Sequence, residues 1–231
     1  MGDITEIELF SDLGKESCRR YAQALSWRTY SENELIVDID DVSDDVLFIV
    51  SGLVRVVHRT AIGKDVILGE IGEGTYFGEM AAIDGQVRSA NVTALQKSSI
   101  ATMRASLFRD ILLREPEISI SVLNLLVRRV RTLNRKLSEH AYLTAVERLY
   151  CELLRSSHLR VGHDRQRSIS PPPTQQELAE RIGSRREVVS RALCALEEQG
   201  LLEKSRGALI LLNSSELNRR ISQKGLWIEL D

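Results

Sequence analysis

Between Pro116 and Ala141 the apolar residues Leu123, Leu126, Val130, Leu133 and Leu137 recur in alternating steps of three and four. That is the a/d seam of a coiled-coil helix. Arg128, Arg131, Arg135, Lys136 and Glu139 fill most of the other positions. Pro116 suits the first turn, where its missing N–H costs nothing. The spacing predicts a long helix with a narrow stripe for a partner helix; a core helix packed on its own domain is the alternative. Ahead of it, Ile7 to Trp27 reads as a helical lead-in, with Leu9, Phe10, Leu13, Tyr21, Ala24 and Leu25 on one side. From Tyr30 to Met103 short apolar runs are broken by turn residues, the pattern of a sandwich or barrel of short strands. The runs are 35–37, 46–50, 53–57, 66–68, 90–95 and 99–103, with Ser51-Gly52 as a hairpin turn and Ile62-Gly63-Lys64 as a second. Leu107 to Leu113 predicts a short helix.

Beyond Ala141, the residues Tyr142 to Leu154 continue helical, with Val146, Leu149, Tyr150 and Leu153 on a core face. Ser156 to Pro173 is polar and ends in Pro171-Pro172-Pro173, so it predicts a loop or a short edge hairpin. The resulting division is 1–115, 116–141 and 142–231.

The chain has 231 residues, enough for one large or two ordinary domains. A net charge of −2 excludes a wholly basic nucleic-acid binder. Cutting at Ala141 leaves an acidic first part and a mildly basic remainder, which puts any phosphate contact in the second part. No apolar run reaches membrane length, and the acidic start does not read as a signal peptide, so no membrane partner is expected and a cytoplasmic location is. Cys18, Cys151 and Cys194 are odd in number and far apart, which fits reduced thiols. His58, His140, His158 and His163 are scattered, so no metal site is expected.

Phe77 to Ala90 reads Phe-Gly-Glu-Met-Ala-Ala-Ile-Asp-Gly-Gln-Val-Arg-Ser-Ala. Gly78 lets the backbone approach a ligand or take positive φ. Glu79 is an acceptor suited to a sugar hydroxyl. Met80 to Ile83 forms a one-turn helix whose N–H groups favour an anion. Arg88 offers a donor fork matched to phosphate, and Ser89 a hydroxyl. By spacing alone such a Glu and Arg would be a surface ion pair.

Thr174 to Gly200 has different chemistry. Thr174 and Glu177 form a capping box, and Leu178, Ala179 and Ile182 give a first helix face. Gly183 breaks the helix at a tight turn. Val188, Val189, Ala192, Leu193 and Leu196 then point inward, while Arg185, Arg186, Glu187, Ser190 and Arg191 point outward. Arg pairs with guanine and Glu with the cytosine amino group. Two flanking runs around Ser205-Arg206-Gly207 suit a small β-wing. The plain alternative is a two-helix hairpin with a solvated charged face.

Gly78-Glu79-Met80-Ala81-Ala82 and Arg88-Ser89-Ala90 resemble the phosphate-binding cassette of cyclic-nucleotide-binding domains, with Val87 in place of the common Pro. The 46–56 strand pair looks like that family's β-roll, and 174–200 resembles the DNA-binding domain of the Crp–Fnr transcription factors. The resemblance covers almost the whole chain. It implies an α+β fold: an N-terminal β-roll, a dimerisation helix and a C-terminal winged helix-turn-helix. It implies a non-enzymatic regulator with cAMP as allosteric ligand and cGMP as a second candidate. The implied ligand residues are Gly78, Glu79, Met80, Arg88, Ser89, Val56, Ile71, Arg129, Leu133 and Asn134. Of these, Arg129 is placed near Glu79, and Leu133 and Asn134 near the base. The implied DNA residues are Thr174, Arg185, Arg186, Glu187, Ser190 and Arg191, acting on palindromic double-stranded DNA with a TGT(GA)-like half-site. A homodimer through 116–141 and contact with RNA polymerase complete what the resemblance implies. A regulator gated in another way is the alternative within that class. A cyclic-nucleotide hydrolase is the alternative outside it; no metal cluster or acid/base pair supports that reading.

Overall fold

The computed structural model describes residues 7–11, 13–60, 63, 65–160 and 162–225. It is an α+β chain that falls into two compact units, divided between Arg129 and Val130.

The first unit opens with a 3-10 turn at Glu8–Phe10 and α1 at Lys15–Ala22. The lead-in helix is therefore shorter than the sequence pattern predicts, and Trp27 already lies in a strand, β1 (Ser26–Tyr30). Seven more strands follow: β2 (Leu35–Val37), β3 (Val46–Ser51), β4 (Leu53–Arg59), β5 (Asp65–Gly72), β6 (Tyr76–Phe77), β7 (Asn91–Ala94) and β8 (Ser98–Met103). They form two antiparallel four-stranded sheets, β1-β8-β3-β6 and β2-β7-β4-β5. β3 is buried along its first five residues, so its run is apolar throughout rather than alternating. The turn between β3 and β4 needs glycine: Gly52 has φ +110, and a Cβ there would lie 2.6 Å from the Cβ of Ser98. Of the second predicted turn, Ile62 and Lys64 lie outside the described residues; Gly63 donates its N–H to the Thr60 carbonyl at 2.8 Å.

α2 (Glu79–Asp84) lies between the sheets' sequences, and α3 (Ala105–Arg114) leads into the long α4 (Pro116–Tyr142). Ile118 and Val122 of α4 are buried in the same cluster as Phe10, Phe48 and Phe108, with Leu125 and Leu126 partly buried against it. The helix thus has two unlike faces. Its start packs on its own domain, while Ile120, Leu123, Val127, Val130, Leu133 and Leu137 are exposed. Leu126 is a correction: it belongs to the core side, and Val127 takes its seat on the open stripe.

In the second unit, α4 stops at Tyr142 instead of running on to Leu154. Thr144 caps a new helix, α5 (Ala145–Arg155), with a complete capping box to Glu147. The 156–173 stretch forms β9 (His158–Arg160) and β10 (His163–Ile169). They form a short edge hairpin, as one of the two sequence readings has it: β9 lies at the edge of a four-stranded sheet, and β10 pairs with it on one side and with the wing on the other. α6 (Gln175–Ile182) and α7 (Arg186–Glu198) follow, then the wing strands β11 (Leu202–Ser205) and β12 (Ala208–Leu211) and a last helix, α8 (Ser214–Ser222). Their core joins Leu149, Leu153, Leu178, Val189, Leu193, Leu196, Leu211 and Leu217.

Candidate nucleotide pocket and nucleic-acid interface

The candidate ligand site begins at the end of β6. Gly78 has φ +86 and caps α2, a backbone state that L side chains adopt only at a cost. A Cβ there would lie 2.6 Å from Arg88 Nη1 and 2.7 Å from the Asp45 carbonyl oxygen. The glycine thus makes room for the arginine. Arg88 is 5% exposed and donates to the Ser43 hydroxyl at 3.0 Å, the Asp45 carbonyl at 2.9 Å and the Gly78 carbonyl at 3.4 Å. Burial pulls its guanidinium below the usual arginine value, against the opposing charges of Asp45, Asp44, Asp41 and Glu79.

Glu79 is the first residue of α2 and has no exposed surface. Arg129 of α4 donates to it from Nη1, and to the Tyr76 carbonyl from Nη2 at 3.3 Å. Burial raises the Glu79 carboxyl above its ordinary range, and Arg129 opposes that rise. Three buried polar atoms here have no hydrogen-bond partner: Glu79 Oε2, Arg88 Nε and the Tyr76 hydroxyl. Native interiors leave few such groups, and a donor-rich and acceptor-rich ligand would satisfy them.

The fold thus brings together Gly78, Glu79, Arg88 and Arg129. Val56 and Ile71 are half-buried against the cluster of Ile49, Val54, Phe77 and Val92. Ser89 is exposed beside Arg88, and Met80 is 49% exposed, on the outer side of α2. Leu133 and Asn134 are exposed on α4, past the division between the units. Sequence reasoning missed Ser43 and the Asp45 carbonyl as partners of Arg88. The acidic run Asp38 to Asp45 was the only available signal. Sequence reasoning counted His58 only among scattered histidines and did not place it at this site, where its Nδ1 lies 3.3 Å from the Ser89 carbonyl.

In the second unit, Thr174 caps α6 with the expected box to Glu177. Gly183 ends α6 at φ +61, and a Cβ there would lie 2.9 Å from Cε1 of His140. Arg185 is the N-cap of α7 rather than a residue of it. Arg186, Glu187 and Arg191 are exposed and Ser190 is half-buried. These four line one open groove with Gln175, the first residue of α6, which the sequence reading did not single out. Val189, Ala192, Leu193 and Leu196 fix the opposite face of α7 in the core. The result is a helix held by its apolar side with a short row of base-matching side chains free at its start.

Behind that helix lies a buried ionic chain. Glu139 of α4 accepts from both terminal nitrogens of Arg155, which reaches Glu152 at 3.4 Å; Glu152 in turn meets Arg181 of α6 at 3.4 Å. Burial lowers the Arg155 guanidinium, but its hydrogen bond and charge interaction with Glu139 outweigh that and raise it overall. Among the described residues no His, Cys, Asp and Glu group could hold a metal ion, and no helix is long and apolar enough to cross a membrane.

Comparison with known proteins fits both regions. Residues 27–115 match the family model for the cyclic nucleotide-binding domain, and residues 147–220 match the Crp-like helix-turn-helix domain. The cAMP-activated global transcriptional regulator CRP of Pasteurella multocida is 27% identical over 174 residues, covering 75% of this chain and 83% of that protein. Two solved structures share the fold. One is the c-di-GMP responsive global regulator CLP of Xanthomonas campestris, with TM-score 0.75 and 21% identity over 86% of this chain and 99% of that one. The other is a variant of CooA from Carboxydothermus hydrogenoformans, with TM-score 0.78 and 18% identity over 95% and 96%. A cyclic-nucleotide-binding domain followed by a Crp-like helix-turn-helix domain defines a DNA-binding transcription regulator, not an enzyme. The chain belongs to the Crp–Fnr family.

Proposed function

We propose that this regulator is gated by a 3′,5′-cyclic nucleotide, cAMP with cGMP also admitted, and that the liganded homodimer binds a palindromic operator with a TGT(GA)-like half-site. The observation that carries this reading is buried Glu79, paired with half-buried Arg129, beside buried Arg88, with a free Glu79 carboxylate oxygen and a free Arg88 guanidinium nitrogen. Arg88 takes the cyclic phosphate with Ser89, and Glu79 takes the ribose 2′-OH. Met80 closes the outer side of the cassette, and Val56 and Ile71 give an apolar surface for the base. Leu133 and Asn134 are the α4 residues assigned to the base. Leu133 offers no hydrogen bond and Asn134 both a donor and an acceptor, so discrimination between the purines is relaxed.

Thr174 and Arg185 hold backbone phosphate, while Arg186, Glu187, Ser190 and Arg191 read base edges. The open stripe on α4 is the homodimer contact, and RNA polymerase is the protein partner. The domains that carry these roles are 1–115, 116–141 and 142–231, and the protein works in the cytoplasm. Ligand reaches the reader by binding one dimer arrangement more tightly than another. A second reading, a Crp–Fnr regulator gated otherwise, draws on the carboxylates of Asp41, Asp44 and Asp45, which crowd the proposed phosphate arginine. Calorimetric titration with cAMP and cGMP separates the two. Saturable binding, lost at least about tenfold in Arg88→Ala, supports the first. No binding of either, or wild-type affinity in Arg88→Ala, overturns it.

A further inference from the structure

We infer that His58 is a base-specificity residue of the nucleotide pocket, reading the donor edge of guanine held in the syn conformation. The inference rests on the cyclic-nucleotide reading above. His58 lies on β4 two residues beyond Val56, and Val54 and Val56 alternate with the outward Arg55, which pairs with Glu70. Val54 pairs with Ala94 and Val56 with Val92, both buried, so these positions face the interior of the roll. The register between β4 and β5 shifts after Val56, which lies opposite Gly69, while Val57 lies opposite Ile67. The extra residue is therefore on β5, and the alternation of β4 carries through to His58.

The imidazole is exposed at this end of β4 and meets the Ser89 carbonyl, 3.3 Å from Nδ1. A carbonyl oxygen only accepts, so this contact is a hydrogen bond in the tautomer with the proton on Nδ1, which leaves Nε2 as an acceptor. Ser89 directly follows the arginine assigned to the cyclic phosphate. His58 therefore lies one residue from the phosphate end of the ligand. A purine in the anti conformation points away from its phosphate. In syn it folds back over the ribose, and the N1–H and N2 amino edge of guanine comes toward the phosphate. That edge is all donor, while the corresponding edge of adenine offers no such donor there. Room for the ring exists as well: Gly69 pairs with Val56 across β4 and β5, and a Cβ at Gly69 would meet nothing within 4 Å.

The test uses the full chain, cAMP and cGMP as probes, and two variants. His58→Asn keeps an amide donor for the Ser89 carbonyl but has nothing at the Nε2 position. His58→Gln reaches the Nε2 position and gives up the tie to Ser89. The expected result is a cGMP affinity at least about fivefold weaker in His58→Asn, with cAMP changed less than about twofold and His58→Gln recovering most of the cGMP loss. Thermal melting of the ligand-free variants checks that the roll is intact. Equal loss of both nucleotides, or no loss of either, would overturn the role of His58. So would a wild-type protein that binds cAMP but not cGMP, and that outcome leaves the cyclic-nucleotide reading standing. A wild-type protein that binds neither overturns both.

Discussion

Arg129 closes an ion pair on Glu79, a carboxylate with no exposed surface of its own, while the arginine side chain stays one-third exposed. A residue of the long helix thus neutralises the residue assigned to the sugar. Arg129→Ala would leave that carboxylate buried and alone. Removing one partner of a buried pair costs about 3–5 kcal/mol, and partial exposure of Arg129 discounts this to about 2–3 kcal/mol near neutral pH.

The pH dependence of that loss follows from the direction of the Glu79 shift. Burial raises its folded pKa above the unfolded value of about 4.3, and Arg129 opposes the rise. A raised carboxylate pKa means the fold holds the proton more tightly than the unfolded chain does. Its stabilising effect is present at low pH and is lost as pH rises through the folded pKa. Without Arg129 the pKa climbs further. The gap between variant and wild type is therefore smallest in acid, where both keep the proton, and widens toward neutrality. Urea unfolding at several pH values measures it, and a gap independent of pH would refute the account.

Gly78→Ala should act on Arg88 without touching it chemically. The methyl would sit at φ +86, 2.6 Å from Arg88 Nη1 and 2.7 Å from the Asp45 carbonyl, so the guanidinium or the strand end must move. The backbone strain alone costs about 1–3 kcal/mol. Melting should show that loss, and nucleotide titration a loss of affinity like that of Arg88→Ala. Full affinity in Gly78→Ala would mean that the arginine does not need this seat.

Arg191 is exposed in the first half of α7, in the groove shared with Arg186, Glu187, Ser190 and Gln175. Arg191→Ala should cost about 1–3 kcal/mol on the preferred operator and relax choice at one base position. Binding to all sequences weakened alike, with a smaller salt slope, would make it a phosphate contact instead. Competition assays with a set of single-base operator variants distinguish these results.

The strands that were legible in the sequence are those rich in apolar residues: 35–37, 46–50, 53–57, 66–68 and 99–103 each sit inside an observed strand. β1 was not, because Ser-Trp-Arg-Thr-Tyr has only Tyr30 buried and offers no apolar run. β6 is two residues long, too short for any periodicity. The cassette was legible because glycine, glutamate and arginine side chains carry its chemistry. The seating of Arg88 was not, because two of its three acceptors are backbone carbonyls, which every residue possesses. The break at Leu143 was hidden by apolar residues on both sides, although Thr144 and Glu147 spell the capping box that makes it. In the helix seam the error was one of phase. Leu125 and Leu126 serve the domain core, so an apolar count alone could not tell which face stays open.

The corrected phase yields the last prediction. The open face of α4 carries Ile120, Leu123, Val127, Val130, Leu133 and Leu137; continued in steps of three and four, the line Ile120, Leu123, Val127, Val130 passes through Asn134, exposed beside Leu133, before Leu137. In a parallel two-stranded coiled coil one asparagine at an a seat fixes register and strand number while lowering stability. If the stripe is the homodimer contact, Asn134→Leu should tighten the dimer by about 1.5–3 kcal/mol, at least tenfold in dissociation constant. The same change should admit higher oligomers, since the polar restriction on strand number is gone. Sedimentation equilibrium over a range of protein concentrations reads both effects. An unchanged dimer constant with an altered ratio of cAMP to cGMP affinity would assign Asn134 to the base and take it out of the seam. A tighter dimer with the nucleotide ratio unchanged would do the reverse, leaving base choice to the β-roll.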